Sequence, residues 1–141
     1  MDIPPEVEIR ASIKPGSVYY FRHDEIPRSH YFAVINKNPS SEAIILLLCA
    51  SSQIEKKRLW YSACPPETLV IVKPGQYRDF SVPTVINCNN VFEVTIQHLV
   101  KKRADGLLEL RPDMSMPIVE ALRRGVLASP LVELRIKAML Q

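Results

Sequence analysis

At 141 residues, 47% of them hydrophobic and 23% charged, the chain has the size and composition of one folded domain, which excludes a disordered chain or a fibrous repeat. Its formal charge of +3 permits a polyanionic partner but is too small for a protein that wraps DNA. Three scattered cysteines, Cys49, Cys64 and Cys88, contain no C-x-x-C pair, so neither a disulfide scaffold nor a zinc site is expected.

The opening MDIPPEVEIR is acidic and proline-containing, not a basic stretch leading into an apolar one, so no export leader is expected. With no periodic pattern, residues 1–12 read as a lead-in strand or a loose arm. Lys14-Pro15-Gly16-Ser17 marks a turn. Val18–Arg22 and Tyr31–Ile35 follow, both rich in aromatic and β-branched residues, and predict two strands joined by the charged loop HDEIPRSH. After the turn formers at 36–41, Ala43–Cys49 is a continuous apolar run that predicts a strand buried on both faces. The run is too short to cross a bilayer as a helix, and a cytoplasmic protein with no membrane partner is expected.

Gln53–Arg58 predicts a short exposed helical turn, and Pro65-Pro66 a loop. Leu69–Val72 and Thr84–Ile86 read as further short strands around the turn Lys73-Pro74-Gly75, with Asn87–Asn90 a polar strand end. From Thr95 the signals become helical. Ile96, Leu99 and Val100 share a face, Lys101–Arg103 close the last turn and Gly106 stops it. A second helix is capped by Ser115, faces inward with Ile118, Val119 and Leu122, and ends at Gly125. A third is capped by Ser129, starts at Pro130 and carries Leu131, Ile136, Met139 and Leu140 on one side. The expectation is a single domain over 1–141, mainly β with C-terminal helices: a small barrel or curled sheet over about 13–94 and a helical tail over about 95–141.

Four groups of residues could carry chemistry. The loop between the first two strands holds His23, Asp24, Glu25, Arg28 and His30 within eight residues. A nuclease needs a base, an acid and a cation over the developing phosphorane charge, roles that suit His, Glu and Arg, although charged loops are commonly just solvated. In Cys49-Ala50-Ser51-Ser52-Gln53 a buried strand ends in hydroxyls, which could donate to a phosphate or cap the turn that follows. Neither serine lies in a G-x-S-x-G elbow. The basic runs Lys56-Lys57-Arg58, Lys101-Lys102-Arg103 and Arg123-Arg124 could be solvated faces. The first, with Trp60, Tyr61 and Tyr77, could instead form a strip for single-stranded nucleic acid. Cys49 and Cys88 lie in apolar strands, where a thiol is usually inert, and no metal ligation or cofactor is expected.

Three stretches together resemble the PemK/MazF family of toxins from toxin-antitoxin systems. Lys14-Pro15-Gly16-Ser17-Val18-Tyr19 resembles the family's first strand, HYFAVIN (30–36) its second, and ILLLCASSQ (45–53) its third, with the serine-rich end; the resemblance covers about 13–90. It implies an SH3-like barrel and metal-independent cleavage of single-stranded RNA by a homodimer that an antitoxin protein would restrain. Carried over by position, Ser51 or Ser52 supplies the hydroxyl. The family's Arg-Pro is replaced by His30-Tyr31, so the cation would be Arg28, two residues earlier, with His30 or Glu25 handling protons and Lys56, Lys57, Arg58 and Tyr77 binding RNA. Without that Arg-Pro, the alternative is a non-catalytic SH3-like binding or regulatory module. A third is a toxin acting on another target, such as a topoisomerase.

Overall fold

The computed structural model describes residues 2–141. Its elements are α1 (Pro5–Ser12), β1 (Val18–Phe21), β2 (His30–Val34), β3 (Ile45–Ser51), α2 (Ile54–Trp60), β4 (Leu69–Val72), β5 (Thr84–Val94), α3 (Ile96–Ala104), β6 (Leu108–Arg111), α4 (Met116–Ala128) and α5 (Leu134–Met139). The strands form one antiparallel sheet in the order β4-β5-β3-β2-β1-β6. Among the described residues no helix is long and apolar enough to cross a membrane.

Side chains alternate across a strand, and here both faces of the sheet are covered. Val18, Ala33, Leu46, Leu48 and Ile86 point into a core closed by Val119, Leu122 and Val126 of α4 and Ile136 of α5. Tyr19, Phe21, Phe32, Ile45, Leu47 and Phe92 point the other way, onto Ile9 of α1 and Ile96 and Leu99 of α3. That double burial is why β3 is apolar at every position from Ile45 to Leu48, all of them with no exposed surface.

Several boundaries differ from those the sequence predicts. The first twelve residues are not a strand or an arm: Pro5 opens a helix at the position where proline is tolerated, Ile9 is its buried residue, and Ile13 is buried just past its end. Glu8 accepts both the Nε–H and an Nη–H of Arg103, at 3.1 and 3.0 Å, which ties α1 to α3. The stretch after Thr95 is not wholly helical. β6 interrupts it and pairs with β1, Leu108 and Leu110 facing one core while Glu109 and Arg111 face away. α4 runs through Gly125 to Ala128. Ser129 does not cap the last helix, which starts at Leu134; it is fully buried and donates to Asn89 Oδ1 at 2.7 Å. Asn87–Asn90 is not a strand end but lies within β5.

Asn36 joins β2 to β3 from a position with no exposed surface. Its Oδ1 accepts Leu46 N–H at 2.6 Å and its Nδ2 donates to Ile44 O at 2.9 Å. Arg123 of α4 donates to Ile35 O and Asn36 O next to it. Asn36→Ala orphans a buried N–H, and denaturant unfolding is expected to show a loss of about 2 kcal/mol. A loss under a few tenths would mean that Asn36 is not holding this junction.

Candidate functional site

A cleft of about 720 Å³ opens at the end of the sheet where β2 begins and β3 ends. Pairing of β2 with β3 runs from Val34↔Leu47 to Phe32↔Cys49 and stops there. In the same register Tyr31 would face Ala50 and His30 would face Ser51, but the strands part instead. On its other edge β3 stays paired with β5, where it advances two residues, Leu48 to Ala50, against five on β5, Val91 to Ile86. The extra β5 residues fall at Asn87–Asn90, so this polar segment is a bulge that swings the end of β3 away from β2.

The bulge is held by a buried polar network. Asn87 Oδ1 accepts the backbone and side-chain N–H of Asn89, whose Nδ2 also donates to Thr68 Oγ1 while its Oδ1 accepts from Ser129. Each of these polar groups is paired inside the core, as burial requires.

Arg28, His30, Ser51, Ser52 and Lys57, chosen from three separate stretches of sequence, all line the cleft. Arg28 reaches the cleft from the loop before β2, not from the strand itself. Among the described residues neither Arg28 nor Lys57 forms an ion pair, which leaves two cations for an anionic ligand. The Nδ1 of His30 lies 3.0 Å from the carbonyl oxygen of Arg28. A carbonyl only accepts, so in this contact Nδ1 carries the proton and donates. The lone pair of the neutral ring is then on Nε2. Ser51 Oγ accepts from Gln53 N–H at 3.1 Å and keeps its own proton for donation; it is a turn acceptor, while the N-cap position of α2 is Gln53. Ser52 is exposed.

Other residues expected at the site are elsewhere. Glu25 does not line the cleft: its loop turns towards α3, where Asp24 takes the Lys102 ammonium at 2.9 Å, and the Glu25 side chain is in solvent beside His23. Tyr77 is buried in the α4-side core, where its hydroxyl donates to Pro112 O at 2.6 Å, so no face of its ring is open to a base. Arg58 pairs with Glu55 and rims a smaller hollow of about 310 Å³ beyond α2. Lys56 lies over the Trp60 ring outside the cleft. Cys49 does line the cleft, but burial pushes its thiol up to about 12, which leaves too little thiolate at neutral pH for a nucleophile.

The sequence reading missed Asp79. It lines the cleft with its side chain 8% exposed and pairs with Arg111 of β6. The Arg111 guanidinium holds its carboxyl below the usual carboxylate range, so it stays ionised and matched. Together with the Tyr77–Pro112 bond, this pair ties the segment after β4, one edge strand, to the end of β6, the other. Tyr31, T-stacked on Phe80 and beside Tyr20, forms an aromatic wall; burial, then the Asp79 charge, raises its phenol above the ordinary value. The acidic residue in Tyr77-Arg78-Asp79-Phe80 was the available signal, but only the fold turns it inward.

Comparison with protein-family models and with curated proteins finds no match for this chain.

Proposed function

We propose that this cleft is the active site of a metal-independent endoribonuclease of the PemK/MazF toxin type, built on a core related to that family's SH3-like barrel. The observation that carries the reading is the convergence of Arg28, His30, Ser51 and Lys57 in one cleft with an aromatic wall. The contacts that link the two edge strands of the sheet support the barrel-like part of it.

In the reaction a 2′-hydroxyl attacks the adjacent phosphorus, forming a P–O2′ bond as the P–O5′ bond breaks. His30 Nε2 takes the 2′ proton, and the resulting imidazolium supplies one to the leaving 5′-oxygen. Arg28 and Lys57 stabilise the charge that grows on the non-bridging oxygens, and the Ser51 hydroxyl donates to one of them. Asp79 is not the base, because its charge is spent on Arg111. The bases flanking the scissile bond lie against Tyr20 and Tyr31, the half-buried rings of the wall. The products are a 2′,3′-cyclic phosphate and a 5′-hydroxyl.

A mixed single-stranded RNA pool incubated with the purified protein and excess chelator is expected to yield fragments with those ends, and expression of the intact chain to arrest growth. Binding of RNA with no cleavage and no growth arrest would favour the non-catalytic module instead.

A further inference from the structure

α2 is a surface helix with none of its residues buried, and it forms the rim of the cleft. Lys57 and Tyr61 reach inside, while Leu59 and Trp60 are 73% and 61% exposed. The indole is not loose: the ammonium groups of Lys56 and Lys57 lie 5.7 and 5.1 Å from its ring centroid, within cation–π range. A large flat ring is thus held in solvent, beside two positive charges, one residue from a side chain that lines the cleft.

We propose that α2 is a docking ramp for single-stranded RNA outside the scissile dinucleotide, with a nucleobase stacking on Trp60 and a flanking phosphate on Lys56, while Lys57 keeps its place in the cleft. This rests on the ribonuclease reading and extends it from the reacting bond to the strand that carries it. Three features favour a nucleic acid over a protein on this face. The helix has two turns and only two exposed apolar side chains, too little to seat in a partner's groove. Those side chains are set among Lys56, Lys57 and Arg58, and only Arg58 has a carboxylate partner. The face is continuous with a cleft that itself offers unpaired cations. A base presents a π-face to stack and its backbone a charge to neutralise, so one ligand satisfies both parts of the surface.

Trp60 is the single tryptophan of the chain, so its fluorescence reads this surface alone. The probe is a mixed-sequence single-stranded eight-nucleotide RNA, 2′-O-methylated so that it cannot be cleaved. Titration is expected to quench Trp60. Trp60→Ala is expected to weaken binding of a dye-labelled copy roughly tenfold, Trp60→Phe less than threefold, because stacking is retained. Lys56→Gln is expected to lower the slope of log affinity against log salt by roughly one contact. Trp60 is exposed, so neither substitution disturbs the core. Unchanged fluorescence with bound oligonucleotide, or equal affinity of the alanine variant, would overturn the proposal. Cleavage of unmodified RNA is scored separately. Cleavage without quenching defeats the ramp alone, and quenching without cleavage defeats the nuclease reading alone.

Discussion

Replacing His30 with alanine is expected to lower the rate of RNA cleavage by about 10²- to 10⁴-fold, the usual contribution of one positioned general base or acid. The expectation follows from how the ring is held. His30 pairs with Phe21 at the last rung of β1–β2, and its Nδ1–H is tied to the carbonyl of Arg28, two residues back. Backbone therefore fixes both the strand and the tautomer, and Nε2 is left to accept a proton. Arg28→Ala removes one of the cleft's two free cations and is expected to cost about 10²-fold or more, since its guanidinium acts on charge that exists only in the transition state. The two effects should fall short of additive, because both side chains act as a unit on the same transition state. Added imidazole should restore part of the His30→Ala rate, and none of the Arg28→Ala rate. His30 lies at the strand end and is half-buried, so thermal unfolding of the alanine variant should match the parent. Wild-type cleavage by His30→Ala would remove this residue from the chemistry.

Much of the sheet was legible because local pattern and burial agree. Tyr19, Phe21 and Phe32, and the unbroken Ile45–Leu48 run, have the composition that strands with two covered faces require. α1 was not, because an eight-residue helix with Ile9 as its only buried residue has too short a period to register. β6 carries a period-two pattern, Leu108 and Leu110 inward, but only four residues of it, between two helices. Reading an aromatic near a basic run as a nucleic-acid contact succeeds or fails by position in space. Tyr77 is in the core and Trp60 is in solvent, a difference fixed by the partners each meets. The candidate residues were legible as types, Arg, His and Ser. Their convergence was not, since it depends on where β2 and β3 part. That point is set by extra residues on β5, which neither strand's own sequence contains.

The bulge that opens the cleft rests in turn on the closeness of α4, and this is where the largest loss of stability is expected. A Cβ added at Gly125 would meet Cys88 Sγ at 2.6 Å, Glu67 O at 2.7 Å and Cys88 Cβ at 3.0 Å. Two of those contacts are with a residue inside the bulge, and the third is with backbone just before β4, so no flexible side-chain end is there to yield. Helix propensity pushes the other way, since glycine in a helix interior costs about 1 kcal/mol relative to alanine, but valine recovers only a few tenths of that. Overpacking should win by a wide margin: Gly125→Val is expected to lose about 3 kcal/mol in denaturant unfolding. Cys88→Ala removes the sulfur from the contact but leaves the Glu67 carbonyl. In the Gly125→Val background it should therefore return only part of the loss, about 1 kcal/mol of coupling. Because Asn87 and Asn90 line the cleft from this same bulge, the valine variant should also cleave RNA more slowly under conditions where it remains folded. A Gly125→Val protein as stable as the parent would mean that α4 does not pack on β5 at this distance, and the account of how the cleft opens would fall with it.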